Sequence, residues 1–505
     1  MRKVLLILLC FLVLQGKAQL DQNVKAEVEL QAIGTTNGVV PFWMRSNQYG
    51  SVPLAGASTS AIGRISRDYE TLSPSDKLYG REKTIDWGYG FEGRANGGDG
   101  SNFSLIEAYG KLKVWKFQLT AGRTRDVMGL NGDTSLSSGN FSVSGNSLGI
   151  PKIEISIPEY WTIPVFNGLI SIKGNFAHGW SGSKTVKRHI SDAVISPVDR
   201  VGTYLHQKSF YGRLGKKDWR FKLYGGFNHQ VFWGGEKDVY QEFYTLTPLE
   251  TFFYVATGKA YGNSYEVPNS KIGNQLGSID IGAEYNFDAL RLTIYRQHFY
   301  DIGALSKLAN IADGLNGISI SNTSQQDRRI TWRSILFEFL YTKHQAGELN
   351  AKYTKSGDED YYNNYFYTEG WTYRGIGLGT PFISTHTTVK SGQASDPRDY
   401  FINNRVVAFN LGLHADVNAW RMFAKLSFSK NFGTYGTSTI GHSLGYERFP
   451  PEYGIFRRVN QFSAYIESER NIGKRLALGT GIGFDHGRLL DNSFGAVVKL
   501  KKSFN

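Results

Sequence analysis

Cysteine is almost absent from this chain: its 505 residues hold one, Cys10, inside the apolar run of residues 4–14. Arg2 and Lys3 precede that run, and Gln15-Gly16-Lys17-Ala18-Gln19 follow it. This is the pattern of a secretory signal peptide, too short to span a membrane, and residues 1–19 are expected to be removed. The mature chain, 20–505, would then carry no thiol. Disulfide scaffolds, thiolate zinc sites and cysteine nucleophiles are excluded with it. Long apolar runs are lacking as well. A mean hydropathy of −0.32 excludes a polytopic helical membrane protein.

Catalytic and metal-binding patterns are equally thin. The ten histidines form no pair at helical spacing, so no metal site is expected, and nothing calls for a cofactor. Gly441-His442-Ser443-Leu444-Gly445 and Gly145-Asn146-Ser147-Leu148-Gly149 both match a nucleophile elbow. The elbow needs a strand running into a helix. Pro450 and Pro451 stand after the first match, and Pro151 with another strand pattern after the second. No enzyme is expected, although an outer-membrane lipid hydrolase using Ser443 stays open as an alternative. The net charge of +13 is dispersed rather than clustered, which argues against nucleic acid as a partner.

Glycine and aromatics are what the chain has in excess: 58 Gly, 29 Tyr, 32 Phe and 10 Trp. They fall into a period of two. Trp219, Phe221, Leu223, Gly225 and Phe227 alternate with Arg220, Lys222, Tyr224, Gly226 and Asn228. Trp87 to Ala95, Trp115 to Ala121, Ile279 to Phe287 and Trp420 to Phe428 behave likewise. Each segment runs about ten residues, the length of a tilted strand crossing a bilayer. Short turns are read near 113–114, 215–218, 288–289, 346–347, 417–418 and 472–474. Long connections are read at 126–151, 181–205, 234–276, 301–328, 356–402 and 431–457. Alternation of short and long connections predicts an all-β, antiparallel transmembrane barrel of about 16–18 strands. Trp115, Trp219 and Trp420, each just after a short turn, would form an interfacial girdle. The final strand pattern, Phe494 to Phe504, suits recognition by the outer-membrane assembly machinery.

Residues 35–83 break the rhythm. Ile62, Ile65 and Tyr69 have loose helical spacing. The segment reads either as a small helical piece or plug at the periplasmic mouth, or as a long structured loop.

Several blocks resemble the Wzi-type capsule assembly family of Bacteroidetes. They are Pro41-Phe42-Trp43-Met44-Arg45-Ser46-Asn47-Gln48-Tyr49-Gly50, Glu107-Ala108-Tyr109-Gly110, Ala121-Gly122-Arg123, and the runs from Leu205 to Gly215 and from Gly226 to Gly235. The resemblance implies an outer-membrane barrel of about eighteen strands with a periplasmic helical element. It also implies a non-catalytic, lectin-like role in organising capsular polysaccharide, with outer-membrane lipid as its surroundings. From the residues themselves, aromatic loop faces suit sugar rings, and Tyr361, Tyr362, Tyr365 and Trp371 form the densest cluster. Arg123 and Arg125, with His229 and Trp233, are the candidate contacts for an acidic polysaccharide. A porin or substrate-specific channel is the alternative reading.

Overall fold

The computed structural model describes residues 23–70, 83–131, 135–191, 193–301, 308–324, 328–348, 351, 357–443, 446–447 and 451–504. The expected signal peptide lies outside them. Eighteen strands form one antiparallel sheet. The first nine are β1 (Val24–Thr35), β2 (Ser58–Arg67), β3 (Ile85–Gly98), β4 (Asn102–Val114), β5 (Phe117–Arg123), β6 (Lys152–Thr162), β7 (Ile170–Thr185), β8 (Arg200–Leu214) and β9 (Phe221–Trp233). Then come β10 (Asn274–Asn286), β11 (Leu290–Asp301), β12 (Gly314–Asn322), β13 (Ile330–Tyr341), β14 (Val406–Val417), β15 (Trp420–Asn431), β16 (Val459–Gly473), β17 (Leu476–Gly487) and β18 (Ser493–Ser503). Each pairs with its chain neighbour, and β1 pairs with both β2 and β18, from Glu27↔Ser503 to Thr35↔Gly495. The sheet is a closed barrel.

Alternation does the sorting expected of it. Phe210, Phe227, Ile281, Phe337, Leu411, Ile466 and Val498 stand exposed on the outer wall, while Lys499 and Lys501 point inward to Glu467 and Glu469 at 2.7 and 2.6 Å. An apolar outer band with paired charge inside is what a lipid-facing wall requires. Trp115 and Trp219 stand exposed at short turns. Trp115 meets Trp161 edge-on at 4.9 Å, and Trp87 carries the Arg67 guanidinium at 4.1 Å.

Both ends of the barrel wall, Val24 and Ser503, lie at the end of the short turns; the long connections gather at the other. Three readings of the sequence need correction. Residues 301–328 are not one connection: β12 lies within them, its Gly, Asn and Ser content disguising a strand whose apolar side is carried by Ile318 and Ile320. Residues 346–347 are not a hairpin turn but part of the long connection 342–405. The 35–83 segment is not one insertion at the short-turn mouth: only its last part, after Arg67, joins β2 to β3 there, and 71–82 lie outside the described residues. It holds β2, in which the odd spacing of Ile62 and Ile65 puts them on opposite faces. Its helix α1 (Phe42–Arg45) sits at the long-loop end, as do α2 (Glu236–Tyr240) and α3 (Pro248–Thr257). Among the described residues no α-helix stands at the short-turn mouth.

Three stretches of the long connections do not wave outside. Residues 36–57, 135–151 and 357–404 turn into the barrel and fill its long-loop half. Phe141 stacks on Phe299 of the wall at 4.3 Å, and Trp371 packs on Phe232 at 4.6 Å. Polar pins hold this plug. Glu338 of β13 accepts from Ser137 Oγ at 2.8 Å, Ser138 N at 2.5 Å and the Tyr295 hydroxyl. Asp280 of β10 accepts from Leu130 N at 2.6 Å. Lys425 of β15 donates to Ser137 O at 2.7 Å and lies 4.0 Å over the Trp43 ring. Asp485 of β17 accepts from Phe42 N at 2.7 Å, and Trp371 Nε1 donates to Ser142 O, also at 2.7 Å. Buried backbone needs such partners, because an unmet polar group costs about 1–3 kcal/mol. At Gly412 of β14 a Cβ would stand 2.8 Å from Leu136 Cβ, so glycine lets the plug seat against the wall.

Candidate functional site

Two cavities flank the plug. On the short-turn side a chamber of about 460 Å³ is lined by Arg125, Asp126, Lys152, Glu154, Lys173 and Tyr211 among others. Its charges are largely spent on each other. Lys152 pairs with Asp126 at 2.9 Å and Glu154 at 3.0 Å, and Arg125 pairs with Glu92 and Glu107.

On the long-loop face a pocket of about 200 Å³ is lined by Arg45, Asn146, Ser384, Thr385, Thr387 and Thr388, with Pro53, Leu54, Ile376 and Leu490 as apolar walls. Its construction starts in the sequence. Pro41 sets the chain into the one-turn α1, whose Phe42, Trp43 and Met44 are buried and leave Arg45 at the helix end. Phe42 and Trp43 pack edge-on at 4.7 Å, and Trp43 Nε1 donates to Ser427 Oγ at 2.9 Å. Arg45 donates through Nε to Val40 O at 3.1 Å, and among the described residues no carboxylate lies within 4.0 Å of its guanidinium. Burial lowers its pKa, and the charge of Asp485 offsets part of that. A half-buried cation with unspent N–H donors, beside hydroxyls and apolar patches, can take a carboxylate and the CH face of a ring together. Gly50 borders this pocket at φ +58, where a Cβ would stand 2.5 Å from Ile376 Cδ1.

The residues expected to contact polysaccharide are spread over three places, and none lines this pocket. Arg123 is buried, donating to Leu105 O at 2.7 Å and Tyr373 Oη at 2.9 Å; Arg125 faces the inner chamber, 5.2 Å from the Tyr49 ring. Burial lowers the pKa of Arg125. His229 and Trp233 stand on the outer wall beneath α3, where His229 Nε2 meets Gln275 Oε1 at 3.1 Å. Tyr361, Tyr362 and Trp371 are wholly buried in the plug. Tyr361 donates to Asp313 at 2.8 Å, and burial pushes that carboxyl up to about 6 despite its donors. Their rings form the plug's core and present no face to a sugar. Tyr365 is half-buried, its phenol pushed up to about 12 by burial and the charge of Glu236, against a hydrogen bond with Tyr240 that lowers it. The Gly145 to Gly149 match does not make an elbow: Ser147 Oγ donates to Tyr373 O at 3.2 Å within the plug. Arg45 was missed because it lay in a block noted only for its resemblance, and a lone arginine carries no spacing pattern.

A closed eighteen-stranded barrel with an apolar outer band, loops folded into its lumen and a polar pocket on the long-loop face is an outer-membrane β-barrel of the plugged class. Within that class the chain belongs to the capsule assembly protein Wzi family, whose model matches residues 25–393. Among solved structures it resembles Wzi of Escherichia coli, an outer-membrane protein involved in group 1 capsule assembly and a carbohydrate-binding barrel. That likeness has 12% identity and a TM-score of 0.55, over 95% of this chain and 85% of the other. OccD3 of Pseudomonas aeruginosa is similar at 10% identity and a TM-score of 0.42, over 97% and 93% of the two chains. No curated protein sequence matches.

Proposed function

We propose that this protein is a non-catalytic outer-membrane barrel that binds surface polysaccharide at its long-loop face and supports capsule assembly or attachment. The signal-peptide pattern of residues 1–19 supports export, and the last strand supports insertion by the outer-membrane assembly machinery. The observation that carries the reading is the Arg45 pocket in a member of the Wzi family. It opens on the face that the architecture of bacterial barrels assigns to the cell exterior. Its guanidinium suits the carboxylate of an acidic sugar, with Pro53, Leu54 and Ile376 against the ring.

The test is binding of purified barrel to a hexuronate polymer and to neutral dextran. Arg45→Gln removes the charge-assisted bond, worth about 1.5–3 kcal/mol, and should weaken the acidic polymer roughly 10- to 100-fold while leaving dextran unchanged. Equal binding of the acidic polymer by both proteins would remove Arg45 from the site. The porin reading is disfavoured by the filled long-loop half of the lumen. The lipid-hydrolase reading rests on Ser443, and Leu444 and Gly445 of its match lie outside the described residues.

A further inference from the structure

The connection between β9 and β10 behaves unlike the plug-forming ones. Its first residues pack on the plug, where Gly234 O accepts from the Tyr367 hydroxyl at 2.8 Å, and it then lays α3 against the outer wall. The helix is well made: Thr247 and Glu250 form a reciprocal capping box, Pro248 opens it, and Gly258 at φ +67 ends it. Its inner side is Thr251, Phe252 and Val255. Phe252 meets Phe176 at 6.5 Å, His206 at 5.7 Å and Trp233 at 6.1 Å, and Lys208 Nζ donates to Ala256 O at the helix end.

What α3 covers explains why it is there. His206, Lys208 and His229 project outward, on the face that lower down is purely apolar. His206 is fully buried under the helix, and neither of its ring nitrogens has a partner among the described residues. Such groups would be costly facing acyl chains. The next outward row toward the short-turn end is Phe210↔Phe227 and Ile279, exposed to lipid. Two residues of strand separate the rows, about 7 Å. The helix therefore sits directly on the upper margin of the lipid-facing belt.

Its far side is apolar. Leu249 is 65% exposed and Phe253 56%, one helical turn apart, with Phe243 exposed just before them. Lys259 follows at the helix end, beside Tyr254 at 4.9 Å. We propose that α3 is an interfacial anchor whose Leu249–Phe253 face is immersed in the outer-leaflet lipid, continuous with the belt below it. An amphipathic helix of this kind lies in the interface plane with its apolar face in the headgroup–acyl boundary. The reading is independent of the sugar pocket.

The scarcity of cysteine makes the test clean. In a Cys10→Ser background, Phe253→Cys and separately Leu249→Cys are nitroxide-labelled and the barrel reconstituted in phosphatidylethanolamine–phosphatidylglycerol vesicles. Phe227→Cys serves as the belt reference and Ser391→Cys as the aqueous one. Both helix labels should collide several-fold more with oxygen than with a water-soluble nickel chelate, relative to Ser391→Cys, and approach Phe227→Cys. A ratio matching Ser391→Cys would overturn the proposal. So would dipolar broadening that vanishes on dilution with unlabelled protein, because it would put a second copy on that face.

Discussion

Removing the Glu338 carboxylate should release the plug while sparing the barrel. Glu338 accepts from the Ser137 hydroxyl, the Ser138 amide and the Tyr295 hydroxyl, with Asn131 Nδ2 further off at 3.2 Å. Hydrogen bonds to a charged group contribute about 1.5–3 kcal/mol each, and the Ser138 amide would be left buried without an acceptor. Two strong bonds reach the plug, from Ser137 and Ser138, since Tyr295 belongs to wall strand β11; with the longer Asn131 contact they make Glu338→Ala cost the docked plug roughly 4 kcal/mol. Every 1.4 kcal/mol is tenfold, so the undocked population rises about a thousandfold. The wall keeps its ladder, from β12–β13 through β13–β14, because Glu338 contributes only backbone there. Limited proteolysis of the folded protein should therefore cut within 357–404 far faster in the variant, while unboiled samples still migrate as a closed barrel. Glu338→Gln, which keeps one acceptor oxygen, should fall between. Unchanged protease resistance in Glu338→Ala would show that the rings of the plug, not this carboxylate, hold it down.

Other consequences can be measured directly. The native protein should be nearly silent in planar bilayers, and deletion of 357–404 should produce discrete conductance steps; large native steps would refute a filled lumen. Gly379→Ala should loosen the plug, since a Cβ there would stand 1.8 Å from Phe141 O and 1.9 Å from the Tyr362 hydroxyl; the variant should lose several degrees in the thermal transition of the plug tyrosines by near-ultraviolet dichroism. Burial pushes the Glu236 carboxyl from 4.5 up to about 7. A raised carboxyl binds its proton more tightly folded than unfolded, so its contribution is fully present below about 4.5 and lost as pH rises through about 7, at most ~3 kcal/mol. Hydrogen exchange in α2 should accordingly quicken between pH 5 and 8, and Glu236→Gln should flatten that dependence.

The barrel was legible in the sequence because period two is a local pattern imposed by one wet and one greasy surface. Trp219 to Phe227 reads as a strand from its own residues. Where the outward face carries little apolar weight, as in the Gly-Asn-Ser-rich β12, the pattern fades into that of a loop. The plug was not legible, since nothing in 357–404 says whether its aromatics point to water or into the lumen. Tyr361, Tyr362 and Trp371 read as a sugar platform, yet their partners, Asp313, Phe141 and Ser142, lie far away in the chain. His229 and Trp233 sit on the outer face of a strand whose covering helix comes later in the chain.

The pins of the plug have a mechanical consequence. A hollow cylinder of eighteen strands resists stretching along its ladder but can flatten into an ellipse with little change in hydrogen bonding. Glu338 and Lys425 both hold Ser137, Asp280 holds Leu130, Asp485 holds Phe42, and Arg123 holds Tyr373 from the opposite wall. These are spokes joining distant points of one rim to a common hub. They keep the cross-section of the long-loop half round, and so keep the distance between the walls of the Arg45 pocket constant under the lateral pressure of the membrane.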